Sequence, residues 1–341
     1  MEATRTSESL DPFPDGWYLI GPSDDIRAGK LIEKTWMGEE IVVWRGADGA
    51  VCVADAFCPH LGAHLGPSTG GQLRDGNLVC PFHGFEYDAT GRCVATPTAP
   101  PPRSARLKCY ESTEAAGFVF AYHGRSADGA PWQLPDFSST RYFRATRRLR
   151  FRGHPQTTSE NSVDRAHLGH VHGYAKLEQT APTEVDGPVL KSAYSFTRPM
   201  LSRGLGWVTI SVDISIRVWG LGVSTVEIRS EGGLLARQWV LATPVDGELI
   251  DMWLAVDVKQ LPPRWWFKGV VAWIGYRLAP WLFVNELVRE VLKDAEIWAQ
   301  QRYRARPVLA APDRDIVRFR RYSEQFYAPE SGPPVRSVGR G

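Results

Sequence analysis

Apolar and polar positions alternate along much of this chain, and the alternation takes two forms. From residue 12 to about 125 the runs are short. IVVWRG (41–46), VCVADA (51–56) and GFVFAYHG (117–124) mix β-branched and aromatic residues, the composition of strands. GADG (46–49) and DATG (88–91) cut them into turns. The Pro-rich run 97–102 excludes a helix interior. Gly, Ser, Asp and Pro then cluster over 124–135 and mark a boundary. Beyond it the pattern predicts a basic strand over 141–152, a polar helix over about 158–170, and a long loop through Pro182 and Gly187. Five longer alternating segments follow: VLKSAYSF, WVTISVDISIRVW, STVEIRS, ARQWVLATPV and LIDMWLAV. The second (207–219) keeps period two over most of its length, as a half-buried antiparallel strand does. A last helix is expected over about 282–304, where Leu287, Val291, Ile297 and Trp298 recur at helical spacing. There is no internal repeat.

The run 265–288, WWFKGVVAWIGYRLAPWLFVNELV, needs separate treatment. Lys268, Arg277 and Pro280 interrupt it, so no uncharged stretch is long enough to span a bilayer. The favoured reading is a buried helix. The sharper one is an apolar lid that lies on a membrane surface or admits a greasy substrate.

Composition narrows the picture further. A chain of 341 residues, 43% hydrophobic and 23% charged, reads as two ordinary globular domains. Thirteen Trp residues suggest a large apolar cavity or interface. Forty basic residues against 38 acidic leave a net charge of +2, which gives no electrostatic case for nucleic acid. Residues 1–12 are polar and lack the apolar core of a signal peptide. Five Cys is an odd number for a disulfide framework and points to a reducing compartment with thiols used for metal. A cytoplasmic protein is expected, with membrane association as the variant that the 265–288 run raises.

Two constellations carry chemistry. The first is Cys58-Pro-His60 and, after a spacer, Cys80-Pro-Phe-His83-Gly. Two thiolates on one iron and two imidazoles on the other raise the potential of a [2Fe–2S] cluster above that of an all-Cys cluster. A zinc site uses the same atoms, but zinc-finger spacing keeps both Cys in one half and both His in the other. Here each half supplies one of each. These residues resemble the Rieske motif: CPHLGAHLG and CPFHGFEYDATGRC are similar to the two loops of Rieske oxygenases. The resemblance implies that Cys58 and Cys80 bind one iron and His60 and His83 the other. Cys52, Cys93 and Cys109 are expected to be ordinary buried thiols, and His64 lies off the spacing.

The second constellation is the run from Ser159 to His172, dense in Glu, Asp, Asn and His. Two His and one carboxylate on one face of an iron leave positions open for O2 and substrate. Asp164 and His167 stand three apart, one helix face. The segment is similar to the Glu-x-x-x-Asp-x-x-His-x-x-x-x-His stretch of Rieske oxygenases, with Glu160, Asp164, His167 and His172 at its positions. That resemblance makes His167 and His172 iron ligands and Asp164 a bridge to a cluster-bound His of a neighbouring subunit. Glu160 and Asn161 join the catalytic candidates, and His170 has no role. For the third ligand Asp294, in LKDAEIWAQQRY, is the choice and Glu290, one turn earlier, the runner-up. Glu286, Glu296 and Asp313 are expected to be solvated charges.

The resemblance runs from about residue 14 to 327. It looks closest to the branch of ketosteroid hydroxylase oxygenase components, cholesterol 7-desaturases and bacterial sterol demethylases, on FCPHLGAHLG, ENSVDRAHLGHVHGY, DAEIW and FRRYSEQFY. It implies an α+β fold: an all-β Rieske [2Fe–2S] domain over 12–125, then a helix-grip catalytic domain over 135–328, an antiparallel sheet with a long C-terminal helix. Residues 329–341 are expected to be a disordered tail. It further implies a [2Fe–2S] cluster, a mononuclear Fe(II) and O2 as co-substrate. NAD(P)H enters only indirectly, through a separate ferredoxin or flavin reductase. A homotrimer and a large hydrophobic substrate, hydroxylated, demethylated or desaturated, complete the expectation. The rivals are an O-demethylase or monooxygenase of a smaller aromatic compound, a Rieske electron carrier with no chemistry of its own, and a lipid-binding redox sensor.

Overall fold

In the computed structural model the described residues are 9–125, 129–137, 143–202, 206–261 and 270–327. Residues 9–125, all described, contain only strands and short turns, as their clipped alternation predicts. These are β1 (Gly16–Pro22), β2 (Ile32–Trp36), β3 (Glu39–Arg45), β4 (Val51–Asp55), β5 (Gln72–Arg74), β6 (Asn77–Val79), β7 (Glu86–Tyr87), β8 (Cys93–Ala95), β9 (Cys109–Tyr110), β10 (Ser112–Ala115) and β11 (Phe118–His123). They form three antiparallel sheets, ordered β1-β11-β10, β2-β3-β4-β9 and β5-β6-β7-β8.

The later residues build one seven-stranded antiparallel sheet. Its strands are β12 (Phe143–Arg152), β13 (Ala175–Asp186), β14 (Val189–Ser202), β15 (Gly206–Trp219), β16 (Val223–Ser230), β17 (Leu235–Pro244) and β18 (Leu249–Gln260). The order is β12-β18-β17-β16-β15-β14-β13, so β12 is the one strand placed out of sequence. Four helices accompany it: α1 (Pro155–Glu160), α2 (Arg165–His170), α3 (Val270–Trp298) and α4 (Arg314–Ser323). The α+β class is the one expected.

Both faces of the large sheet are apolar, and each is covered by something different. On one face Trp219, Val223, Trp239 and Leu241 pack against Trp17, Leu19, Phe118 and Phe120 of the β1-β11-β10 sheet. On the other, Met252, Leu254, Val256 and Val258 pack against Val284, Val291, Ala295 and Trp298 of α3. α4 lays Phe319 and Tyr322 on Leu190, Tyr194 and Val218.

Three sequence-based elements change. The helix expected over 158–170 is two short helices with a break at 161–164. The Ser162 carbonyl accepts from Ser192 Oγ at 2.9 Å and from Tyr194 Oη at 3.3 Å, so it is bound to β14 rather than to a helical N–H. Asp164 then caps α2. The loop expected through Pro182 is strand β13. It is the sheet edge, and its pairing shifts register on both sides of Ala181, where a residue without an N–H is tolerated. The last helix starts at Val270 rather than 282 and stops at Trp298. Pro280 lies inside it; the packed face carrying Ala279 and Val284 outweighs the one backbone bond it removes. Of the 265–288 run, 265–269 and the tail 329–341 lie outside the described residues.

One buried ion pair joins the two layers. Asp257 on β18 is almost fully buried. Its Oδ2 accepts from Arg144 Nη2 at 2.8 Å and from Trp239 Nε1 at 2.7 Å. Arg144 Nη1 donates to the Ala116 carbonyl beside β11, and its guanidinium lies 4.5 Å over the Phe118 ring. Removing the acid leaves the Arg144 charge and the indole N–H unanswered. Asp257→Ala should therefore lose about 3–5 kcal/mol of stability, read as a lower urea midpoint by Trp fluorescence. A change under about 1 kcal/mol would show the pair to be dispensable.

Candidate metal centres and substrate cavity

The two N-terminal loops have the same backbone plan. Cys58 N–H donates to the Ala63 carbonyl at 2.9 Å, and Gly62 N–H donates to the Cys58 carbonyl at 2.8 Å. Cys80 N–H donates to Phe85 at 2.8 Å, and Gly84 N–H to Cys80 at 3.0 Å. Each loop thus closes over its own cysteine and needs a left-handed residue at the fourth position after it. Gly62 (φ 74°) and Gly84 (φ 67°) meet that need. A side chain at Gly84 would also strike Pro97 Cγ at 2.9 Å.

The loops face each other. The His60 and His83 rings lie 4.7 Å apart, and His60 stacks on Phe85 at 4.5 Å. Both thiols are buried. Burial pushes the Cys58 thiol pKa up, with Cys80 close enough to act on it, and Tyr87 Oη lies 3.0 Å from Cys58 Sγ. Two mutually close buried sulfurs and two imidazoles nearer the surface fit a cluster with two different irons. His64 is elsewhere: its Nδ1 accepts from Gly66 N–H at 3.1 Å. Cys52 and Cys93 are buried, as expected, whereas Cys109 is exposed, with its Sγ 3.9 Å from Cys52 Sγ. Strand β9 carries Cys109 on a sheet edge, so one side of it meets solvent.

The second constellation also converges. His167, His172 and Asp294 each bring a ligand atom within 4.8 Å of the others. Asp294 comes from α3, more than a hundred residues away in the chain. Each imidazole has one nitrogen already committed. His167 Nδ1 donates to the Asp164 carbonyl oxygen at 2.5 Å, and Asp164 Oδ1 accepts from His167 N–H at 3.2 Å. His172 Nδ1 donates to Glu290 Oε2 at 2.7 Å, and its Nε2 lies 3.4 Å from Asp294 Oδ2. Both Nε2 atoms are thereby left for a metal, the arrangement that orients imidazole ligands. Two imidazoles and one buried carboxylate fit a mononuclear iron with open positions.

Electrostatics follow the same contacts. Burial lowers the His167 pKa. Burial also opposes charge on His172, but the Asp294 and Glu290 carboxylates outweigh it and raise its pKa to about 9. Burial works against the Glu290 anion, yet its bonds to His172 and to Lys293 (3.1 Å) hold its pKa below the usual carboxylate range.

Other candidates lie apart from this group. Glu160 accepts from Arg320 Nε at 2.8 Å and Nη2 at 3.2 Å, tying α1 to α4. Asn161 follows α1 as its C-cap. His170 is exposed. Glu286, expected to be a solvated charge, accepts from Arg198 at 2.6 Å at the rim of a cavity. Glu296 is exposed, and Asp313 accepts from Ala310 N–H at 2.8 Å.

That cavity is the feature sequence reading did not locate. It has a volume of about 980 Å3 and lies between the sheet's inner face and α3, reaching His172 and Asp294. Ile214, Ile216, Val226, Ile228, Val240 and Val256 are among its wall residues. Leu278, Trp281 and Leu282 on α3 are each about half exposed, at 54%, 50% and 51%; the buried-helix reading of this run therefore holds for only one side.

Residues 16–111 match the Rieske [2Fe-2S] domain family, and residues 121–327 match the family described as 3-ketosteroid 9α-hydroxylase C-terminal domain. The chain belongs to that family. It is a Rieske-type oxygenase, with a [2Fe–2S] cluster in its N-terminal part and non-haem iron as its second cofactor. Cholesterol 7-desaturase nvd 1 of Ciona intestinalis is 26% identical over 96% of this chain and 72% of its own length. Cholesterol 7-desaturase nvd of Drosophila melanogaster is 27% identical over 97% and 79%. The oxygenase component of 3-ketosteroid-9-alpha-monooxygenase of Rhodococcus rhodochrous is 25% identical over 92% and 84%. Among solved structures, dicamba monooxygenase bound to dicamba superposes with a TM-score of 0.67 at 19% identity, covering 92% of this chain and 97% of that one. NdmA of Pseudomonas putida CBB5 gives 0.67 at 16% identity, over 90% and 88%. At these identities the structures speak for the fold of this oxygenase.

Two predictions follow from the second centre. Glu290→Ala frees the His172 ring and should weaken ferrous iron binding about 10- to 100-fold, measured by anaerobic titration. Glu290→Gln, which keeps an acceptor at Nδ1, should recover part of it. Asp294→Ala should lose the mononuclear iron while keeping the cluster's iron and acid-labile sulfide; loss of both together would place Asp294 in general folding instead.

Proposed function

We propose that this chain is the terminal oxygenase component that oxidises a sterol- or steroid-like substrate. Electrons come from a separate protein, a ferredoxin or flavin reductase. The observation that carries the reading is the apolar cavity of about 980 Å3 reaching His172 and Asp294, large enough for a drug-sized apolar molecule. The names of the sequence relatives, cholesterol 7-desaturases and a 3-ketosteroid monooxygenase component, support it.

In this reading Cys58, Cys80, His60 and His83 hold the cluster, and His167, His172 and Asp294 hold the iron. When bound, the cluster supplies single electrons and the iron activates O2. The chain's own residues do the rest. The Asp164 carbonyl and the Glu290 carboxylate fix both imidazoles in one tautomer. The apolar wall would exclude water and hold an apolar substrate beside His172 and Asp294. The division is a Rieske unit over 12–125 and an iron unit over 135–328.

Assembly and location extend the proposal. Leu61 and Phe82, 66% and 63% exposed, flank His60 and His83. Asp164 keeps 29% of its side chain exposed beside His167. An apolar rim around one centre and an open acid at the other support head-to-tail contact, closed as a homotrimer, with Asp164 as the bridge between centres. No helix among the described residues is long and apolar enough to cross a membrane. The half-exposed Leu278, Trp281 and Leu282 beside the cavity support a peripheral contact through which a greasy substrate enters. Thiolate ligands suit a reducing, cytoplasmic setting.

The decisive test is turnover of the reconstituted holoenzyme with a reductase on a panel of sterols, ketosteroids and methoxybenzoates. Oxidised products from the sterols or ketosteroids alone are expected. Products from the methoxybenzoates alone would move the assignment to demethylation of a smaller aromatic substrate. A chain that holds cluster iron only would be an electron carrier.

A further inference from the structure

The cavity wall contains few polar side chains, and most of them are already engaged. His172, Glu290 and Asp294 belong to the metal centre. Arg198 is neutralised by Glu286 at 2.6 Å and lies 5.5 Å over the Tyr174 ring. Asn285 Oδ1 accepts from Arg147 Nε at 3.2 Å. Ser230 Oγ accepts from Leu234 N–H at 3.2 Å. Among the described residues two groups make no hydrogen bond: the hydroxyl of Tyr174, whose ring stacks on Phe196 at 4.2 Å, and the side-chain amide of Gln238 on the sheet wall.

Its setting makes that unusual. Gln238 is half-buried on β17, an interior strand, and lines the cavity. Its Cα partners are Val226 on β16 and Val256 on β18, and Ala236 and Val240 precede and follow it on the same face. Every neighbour on that wall is thus apolar. The flanking backbone is committed to the ladders on both sides, so it offers the amide nothing. An amide in an apolar wall is disfavoured unless something pairs with it, and a valine would pack there as its neighbours do.

We infer that Gln238 is the specificity residue that hydrogen-bonds a neutral polar substituent, a hydroxyl or carbonyl, on an otherwise apolar substrate. The amide both donates and accepts, so it serves either group. A carboxylate substituent is disfavoured, because both cations that line the cavity, Arg198 and Arg289, are already paired with Glu286. The inference deepens the proposed function and rests on its apolar substrate class.

The test uses the holoenzyme and matched ligands: cholesterol against its deoxygenated hydrocarbon cholest-5-ene, and a ketosteroid against the corresponding hydrocarbon. Affinity is read from quenching of the intrinsic Trp fluorescence. The native protein should prefer the oxygenated member of each pair by roughly tenfold. Gln238→Leu should abolish that preference, leave the hydrocarbon affinity unchanged, and scatter the position of oxidation among products. Gln238→Val, which matches the flanking residues, gives the same comparison if Leu is too large to fold; iron content and melting temperature verify either variant. Equal loss for both members of a pair, or no change in preference, overturns the role of Gln238. If the native protein binds no steroid, the substrate class itself fails. Gln238 is then judged on a methoxybenzene with and without a ring hydroxyl, where an unaltered preference in the variants overturns it.

Discussion

Both faces of the seven-stranded sheet are apolar, and neither can be left to water. This constraint organises the molecule. At about 25 cal/mol per Å2 of apolar surface, a sheet of this size cannot stand alone, so each face recruits a cover. The N-terminal β1-β11-β10 sheet takes one face through Trp17, Phe118 and Phe120. Helix α3 takes part of the other, packed along β12 and β18. Because α3 covers only part of its face, the remaining strands β14 to β17 are left as the wall of a cavity. The cavity is therefore a by-product of incomplete cover, and His172 and Asp294 sit at its boundary.

The covering elements carry charge only where it is answered. Asp257 lies between Arg144 and Trp239 at the junction of the two layers. Its burial is tolerable because the guanidinium also reaches the Ala116 carbonyl and the Phe118 face. Breaking such a pair costs more than the pair itself contributes, which makes it a device for holding two layers in one relative position.

In the cluster of His167, His172 and Asp294 the same economy of contacts sets orientation. His167 is turned by the carbonyl of the residue that caps its own helix, and His172 by a carboxylate from α3. One anchor is local and the other is tertiary. The break between α1 and α2, held by Ser192 and Tyr194, is what lets Asp164 act as a cap. Helix α3 supplies Glu290 and Asp294 one turn apart, so a single element both steadies one imidazole and brings a second carboxylate beside the two histidines.

Much of this was legible in residues alone, wherever the chemistry depends on short spacing. Cys58 with His60, Cys80 with His83, and the glycines four places after each cysteine are set by local loop closure. The period-two strands and the apolar face of α3 follow from side-chain geometry. Three things were decided only by the tertiary structure. Glu290 and Asp294 share a helix face, so spacing cannot separate them; their placement sends one to His172 Nδ1 and the other toward Nε2. Pro182 and Pro280 read as breaks, but an edge strand and a packed helix accommodate them through contacts that no local window contains. Gln238 reads as one polar residue in an alternating strand, and only the assembled wall of Val226, Val240 and Val256 shows that it faces a cavity without a partner. The difference is physical: a loop's geometry is fixed by the residues within it, whereas the pairing of a side chain depends on which distant surface is folded against it.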